Sequence, residues 1–446
     1  MQKNEKIELS ISGTTSDGYG VGRHENMAVF VPNVAEGDII NAHILKVKKN
    51  YAFAKIDEII TPSGDRQAPE CAVSNKCGGC VYQHITYQKE CEIKAKMVEQ
   101  NMRRIGGVDL SAKPIIAAKS IEGYRNKAQY PVSENGNVGF YAFHSHRIIE
   151  NEDCLLQPPI FARICEKITD FVKQNGISIY NEQTKKGLLR HIYLRIAEAT
   201  NEIMAVLVIN GNTLPNYQQL VEKLTEFQEI KSIQLNINKK DTNVILGEEC
   251  ICLFGKEYIT DVLCGVKVNI SPLSFYQVNR TMAETLYEKA TEYAEPSGKN
   301  ILDLYCGAGT IGLSMASKAK SIIGVEIIPE AVADAKLNAK QNGIQNAEFI
   351  CGDAATAAKE LVRRKIKTNV VILDPPRKGC DSELLNTVAK DFAPERIVYV
   401  SCDSATLARD TAILTSLGYT LIEYTPVDLF PRTAHIETVA KFLKKS

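Results

Sequence analysis

Four side chains able to do chemistry punctuate the last third of the chain. They are Asp303 in Asp303-Leu-Tyr-Cys-Gly-Ala-Gly-Thr310, Asp374 in Asp374-Pro-Pro-Arg377, Cys402 in Val400-Ser-Cys402, and Glu437 in His435-Ile-Glu437. Glycines such as those of the first stretch let a backbone approach a ligand closely. A thiol can add to an electrophilic carbon and a carboxylate can take a proton. A sulfur nucleophile, a base and a ligand-binding turn in one pocket would perform covalent catalysis.

The elements that must position these groups are legible around them. Strand-like runs occur at 301–305, 321–326, 348–351, 370–374, 397–401, 420–423 and 437–442, with helical stretches between the first six. This pattern predicts an α/β fold with a doubly wound, seven-stranded parallel sheet whose last strand, after a short connection, runs antiparallel. Ligands in such sheets sit beyond the carboxyl ends of the strands. Asp374 ends the fourth run, Cys402 ends the fifth, and Glu437 starts the antiparallel one, so all three share a rim. Residues 405–417 read as a helix, and a thiol at a helix N-terminus has its thiolate favoured, with Asp403 opposing.

Gly307-x-Gly309-x-x-Gly312 follows a strand and opens a helix. Glu326 ends the next strand, where an acidic residue can bind ribose hydroxyls, and Asp353 follows the third, where an adenine can lie. NAD and S-adenosylmethionine both fit this layout. The Asp303–Thr310 stretch, combined with Asp-Pro-Pro-Arg at the fourth strand, favours the methyl donor. A methyltransferase needs a thiolate when its target carbon is a poor nucleophile, as C5 of uracil is. Addition at C6 makes C5 nucleophilic, and a base must afterwards remove the C5 proton so that sulfur can leave.

With Phe275-Tyr-Gln277-Val-Asn279 added, the stretches 303–310, 374–377, 401–402 and 435–437 resemble, in order, the motifs of the RNA uracil-5-methyltransferase family. The resemblance covers nearly the whole chain. It implies that Cys402 is the nucleophile and Glu437 the base. Phe275, Gln277, Asp374 and Arg377 would meet the uracil, with Phe275 stacking on a flipped base. Gln277, Asp303, Tyr305, Gly307, Gly309, Glu326, Asp353 and Asp374 would hold S-adenosylmethionine.

Cys71-x5-Cys77-Gly-Gly-Cys80 offers three thiols on a flexible turn, and Cys154 can supply a fourth. Four thiolates suit zinc or an iron–sulfur cluster, and spacing does not decide between them. The rRNA branch of the resembled family implies a [4Fe–4S] cluster on these positions. The other cysteines, among them Cys165, Cys250, Cys252, Cys264 and Cys351, read as core filler.

Short strands between turns occupy residues 1–62 and predict a small β-barrel, which resembles the RNA-binding TRAM domain. Its Lys46, Lys48, Lys49 and Lys55 would then meet phosphate. Residues 63–268 read as a central α+β domain carrying the cysteine turn and further RNA contacts (Arg125, Lys127 and Arg147 are candidates). Residues 269–446 form the catalytic domain. Pro62-Ser-Gly-Asp65 reads as a linker, and residues 86–105 as a helix.

With 446 residues, 44% hydrophobic and 24% charged, the composition is that of a globular protein of more than one domain. Lys plus Arg and Asp plus Glu each number 53, a balance that argues against extended duplex binding. No apolar run is long enough to span a bilayer and no signal-peptide core opens the chain, so a cytoplasmic monomer without membrane contact is expected. Within the resembled family, barrel and cysteine cluster together imply 23S rRNA ahead of tRNA as substrate. Other classes remain open: an RNA-binding scaffold without catalysis, and an NAD-dependent iron–sulfur oxidoreductase.

Overall fold

The computed structural model describes residues 1–445. Two compact units emerge. The first comprises residues 1–97, 140–149 and 430–436, and the second residues 98–139, 150–429 and 437–446.

The first unit is built on a closed five-stranded barrel of β1 (Lys6–Thr14), β2 (Gly20–His24), β3 (Met27–Val31), β4 (Ile39–Val47) and β5 (Tyr51–Thr61), in the order β1-β2-β3-β5-β4. Strict alternation builds its core: Ile7, Leu9 and Ile11 of β1 point inward, as do Val29 and Val31 of β3 and Ala52 and Ala54 of β5. Closure leaves no edge strand to pair with another chain.

The expected linker at 62–65 is instead tied to the barrel. Wholly buried Asp38 accepts from the Ser63 N–H at 2.9 Å and from the Arg66 guanidinium at 2.8–3.0 Å. These bonds hold the Asp38 carboxyl below its ordinary range despite burial.

In the second unit, β6 (Lys127–Pro131) is an outer strand of a five-stranded sheet. The two small strands β7 (Gly139–Tyr141) and β8 (Ile148–Glu150) follow it in sequence and pair with each other; apart from their end residues Gly139 and Glu150 they belong to the first unit. The sheet continues with β9 (Leu189–Ala197), β10 (Glu202–Ile209), β11 (Ile230–Ile237) and β12 (Glu249–Gly255), in the order β12-β11-β10-β9-β6. Every residue of β9 is buried, so both faces of that strand are covered. A hairpin of β13 (Ile259–Leu263) and β14 (Val266–Ile270) leads into the catalytic sheet.

That sheet contains β15 (Asn300–Leu304), β16 (Ser321–Glu326), β17 (Ala347–Cys351), β18 (Val370–Leu373), β19 (Arg396–Ser401), β20 (Tyr419–Val427) and β21 (Glu437–Lys444). Their order is β17-β16-β15-β18-β19-β21-β20, with β21 antiparallel to both neighbours. All seven expected strands are present. The first stops one residue early because Tyr305 turns into the left-handed region at φ 68°. Cys165 is buried as filler, whereas Cys351 is exposed at the end of β17, where its side chain faces solvent. Among the described residues no helix is long and apolar enough to cross a membrane.

Candidate active site

Strand order brings the expected groups to one rim of the second unit. Leu304, Leu373 and Tyr399 lie in register across β15, β18 and β19, so Asp374 emerges between the first turn and Cys402. On the far side of β19, Ser401 pairs with Thr438. Continuing that register by one residue sets Cys402 beside Glu437.

The electrostatics are those of a crowded acidic pocket. Burial, then the charges of Glu437 and Asp374, push the half-buried Cys402 thiol up to about 11, while Arg377 pulls it down. The helix N-terminus expected to favour the thiolate is therefore outweighed, and Asp403 spends its carboxylate on capping the helix Ser404–Ser416 through the Ala405 and Thr406 N–H groups. Glu437 is buried and held well above the ordinary carboxyl range by desolvation and Asp374. Burial raises Asp374 to about 7. Arg377 is exposed and is the cation that opposes both shifts.

The turn after β15 is built for close approach. Gly309 has φ 78°, and a Cβ there would lie 2.8 Å from the Phe349 ring, so only glycine fits. Gly307, at φ 54°, has open space where its side chain would be. Asp303 is wholly buried: its Oδ2 accepts from the Gly312 N–H at 3.0 Å, and its Oδ1 has no partner. Burial and Asp374 raise its carboxyl to about 8.

Glu326 accepts from the Gly307 N–H at 3.1 Å and the Ile328 N–H at 2.9 Å, so it braces the turn with one oxygen on each side. Asp353 is exposed and caps the helix Ala354–Arg363 by accepting from the Thr356 N–H at 3.0 Å. An orphan carboxylate oxygen, an open glycine turn and an acidic strand end suit the amino, sulfonium and ribose groups of S-adenosylmethionine.

Phe275 projects from a loop that is otherwise pinned. Fully buried Arg195 donates to the carbonyls of Ser271 at 3.2 Å and Ser274 at 2.9 Å. Asn126 donates to the Gln277 carbonyl at 2.8 Å, and its own N–H reaches the Val278 carbonyl at 2.8 Å. Asn279 caps the next helix, Arg280–Ala294. Phe275 itself is 74% exposed. An apolar ring presented by a rigid loop can stack on a flat ligand.

Several contributors had no local sequence signal. Tyr287 lies wholly within the protein, with its hydroxyl bonded to the Gln277 side chain and 3.2 Å from Thr310 Oγ1. Ile327 is 58% exposed beside Glu326, an apolar surface of the kind an adenine ring covers. Arg195 and Asn126 act on the Phe275 loop from strands far away in sequence.

The family model described as tRNA (Uracil-5-)-methyltransferase matches residues 86–446, and the TRAM domain model matches residues 2–56. The chain belongs to the tRNA (uracil-5-)-methyltransferase family. It is an S-adenosylmethionine-dependent RNA methyltransferase with an N-terminal TRAM barrel. An uncharacterized RNA methyltransferase of Clostridium tetani is 44% identical over 444 residues, spanning 98% of this chain and 96% of the relative. One from Bacillus cereus is 43% identical over 445 residues, again spanning 98% and 96%. The crystal structure of Pyrococcus abyssi tRNA (uracil-54, C5)-methyltransferase in complex with S-adenosyl-L-homocysteine matches with a TM-score of 0.80 at 28% identity, covering 98% of this chain and 99% of that one.

The cysteine turn gives less. Cys71, Cys77 and Cys80 belong to the first unit and Cys154 to the second, each half-buried and outside any disulfide. Burial raises the Cys77 thiol, and the neighbouring Cys71 adds to the shift. Among the described residues, no group of three or more His, Cys, Asp or Glu side chains is arranged to hold a metal ion.

Of the weaker RNA-contact candidates, Arg147 is exposed. Lys127 is half-buried, and burial, Arg195 and Arg125 bring its ammonium down to about 8.

Proposed function

We propose that this methyltransferase forms 5-methyluridine in 23S rRNA through a covalent bond between Cys402 and C6 of uracil. The placement of Cys402 beside Glu437 carries this reading. Bound S-adenosylmethionine supplies an electrophilic methyl group on sulfur.

Phe275 stacks on the extruded base. Cys402 gives its proton to solvent, favoured by Arg377, and its thiolate forms the C6–S bond as the C5–C6 π pair shifts toward O4. Negative charge then develops on O4, where Asp374, poised near 7, can donate as an acid, with Gln277 as a second polar partner. C5 takes the methyl group as the donor's S–CH3 bond breaks, and S-adenosylhomocysteine leaves. Glu437 removes the C5 proton, and the C6–S bond breaks to return the thiolate. Desolvation makes Glu437 a stronger base than an ordinary carboxylate, as abstraction from carbon requires.

By segment, residues 1–62 and 63–268 bind RNA and residues 269–446 bind cofactor and carry the chemistry. Asp303, Tyr305, Gly307, Gly309, Glu326, Asp353, Gln277 and Asp374 form the cofactor side. A [4Fe–4S] cluster on Cys71, Cys77, Cys80 and Cys154 is supported by thiolate chemistry and by the resemblance to the rRNA branch, and it would position RNA, since methyl transfer moves no electrons. Iron and sulfide analysis with optical spectra of anaerobically purified protein tests it. Zinc, or neither metal, would overturn it.

Methylation of a tRNA T-loop uridine is the second reading, favoured by the full-length likeness to an archaeal tRNA (uracil-54, C5)-methyltransferase. Incubation with labelled methyl donor and protein-free RNA from a strain lacking the gene separates the two. Label in 23S rRNA supports the first reading and label in tRNA alone the second. Absence of label from both, with cofactor bound, would overturn the function.

A further inference from the structure

We propose that the outer wall of the barrel is a base-stacking platform for a single-stranded RNA segment other than the target nucleotide. The inference rests on the reading that the chain acts on RNA.

Alternation that sends Val29, Val31, Ala52 and Ala54 into the barrel sends Phe30, Tyr51 and Phe53 out of it. Register assembles them: Phe30 lies opposite Phe53, and Tyr51 opposite Ala28. The rings contact one another edge-on or tilted, with centroids 5.8 Å apart for Phe30 and Phe53, 5.6 Å for Phe30 and Tyr51, and 5.6 Å for Tyr51 and Phe53. Tyr19 joins Phe53 at 5.9 Å and reaches Phe143 at 6.1 Å.

Phe143 is 47% exposed on the rim of an open cleft of about 390 Å³ that it shares with Gly78 and His144. Its hairpin is fixed to the cysteine turn, where the Gly78 N–H donates to the Tyr141 carbonyl at 3.0 Å. Four rings on the outside of the barrel and Phe143 of the hairpin thus form one continuous strip, where solvent contact would favour polar side chains.

Cations frame that strip. Lys46 is the register partner of Phe53 on β4, and Arg23 is that of Ala28 on β2. Lys48 and Lys49 occupy the turn before Tyr51, and Lys55 follows Phe53 on the same outward face. All five are exposed. Asp17 beside Tyr19 and Asp57 bonded to His43 are acids near the strip. Aromatic faces flanked by cations accept unpaired bases and their phosphates, without reading sequence. A protein partner would find the same apolar area, but the ring of cations favours the polyanion.

The test uses the full-length protein and a labelled single-stranded oligouridine about ten nucleotides long, followed by anisotropy. Tyr51→Ala and Phe143→Ala should each weaken binding about tenfold, while Tyr51→Phe binds as wild type. Unchanged circular dichroism and melting exclude misfolding. Replacing Lys48 and Lys49 with Gln should lower the slope of log affinity against log salt by about 1.4. With 2-aminopurine in the strand, the stacking quench should fade in the alanine variants. Alanine variants that bind the oligonucleotide like wild type, with the quench intact, would overturn the platform and return the wall to a protein-contact surface. Weakened binding in a protein that methylates neither 23S rRNA nor tRNA would leave the platform standing and overturn the proposed function.

Discussion

Cys402 and Glu437 occupy the register position immediately beyond Ser401 and Thr438, the last pair of the antiparallel strands β19 and β21. Registered partners point to the same face of a sheet, so thiol and carboxyl leave the rim together. Only an antiparallel last strand achieves this. A parallel β21 would put its start at the opposite edge, about 20 Å away for a strand of six residues. The reversed strand thereby brings a base to a nucleophile 35 residues upstream.

Replacing Cys402 with Ala should abolish methyl transfer and leave cofactor affinity within about twofold, since no cofactor group depends on the sulfur. Replacing Glu437 with Gln blocks only the last proton removal, so a methylated RNA–protein adduct should accumulate. Gel shift under denaturing conditions reads the adduct, and calorimetry reads the cofactor. A turning-over Cys402→Ala protein would overturn the covalent mechanism.

The thiol sets the pH dependence of adduct formation. Its ionisation lies near 11 in the free enzyme, so the reactive fraction grows about tenfold per pH unit below that value. Glu437→Gln removes one of the charges that raise the thiol, but burial and Asp374 remain, so single-turnover adduct formation by that protein should still rise from pH 6 to pH 9. Arg377→Ala removes the cation that lowers the thiol, which moves the profile to higher pH and slows adduct formation at pH 8 several-fold. A flat profile would mean that RNA binding supplies the compensating charge.

The rim was legible in the sequence because strand ends, glycine turns and acidic residues announce themselves locally. Asp374 and Cys402 each follow an apolar run that has nowhere else to go than a buried parallel strand, and Asp303 interrupts one just before its end. Tyr287 gave no such signal: it is a buried helix residue whose hydroxyl acquires meaning only when Gln277 and Thr310 arrive from other segments. Arg195 reads as a charged interruption of a strand, and its bonds to Ser271 and Ser274 span more than seventy residues. The aromatic wall was hidden for a related reason. Phe30 and Phe53 look like core until alternation within a closed barrel assigns Val29 and Ala52 to the inside. The helix-terminus argument for Cys402 failed because burial among two carboxylates outweighs a partial dipole charge.

Asp303 predicts a stability cost paired with function. Its neutral form is favoured in the fold, so its contribution to stability is fully present below the ordinary carboxyl value of 3.8 and is lost as pH rises towards about 8. The loss amounts to about 1.4 kcal/mol per pH unit across that window, less whatever local relaxation recovers. Asp303→Asn keeps an oxygen for the Gly312 N–H and carries no charge. It should raise the melting temperature at pH 8 by several degrees, change it little at pH 4, and weaken S-adenosylmethionine binding at least tenfold. Equal melting shifts at both pH values would show that Asp303 is ionised in the fold.

The segment that leads into Glu437 predicts a different kind of sensitivity. In the first unit, Lys94 and Glu90 are both wholly buried, with Lys94 Nζ donating to Glu90 Oε1 at 2.7 Å and to the Phe430 carbonyl at 3.1 Å. The Arg432 N–H donates to the same Glu90 oxygen at 2.7 Å, and the Arg432 guanidinium reaches the Ile85 carbonyl at 3.1 Å. Residues 430–432 are thus tied to the helix Tyr87–Arg104 by a buried ion network, five residues before the base. Lys94→Met fills the space of the lysine stem but leaves the Glu90 carboxylate with the Arg432 N–H at 2.7 Å and the Arg432 guanidinium at 3.7 Å as its remaining partners, which should cost about 3 kcal/mol in urea unfolding, the low end for breaking a buried pair. Adding Glu90→Gln should recover part of that loss, because a buried carboxylate short of one cation costs more than a neutral amide. In the single variant, the rate of C5 proton abstraction should fall more than the rate of adduct formation, since the segment entering Glu437 is loosened while Cys402 keeps its strand. A loss of stability with both rates unchanged would make the network purely structural.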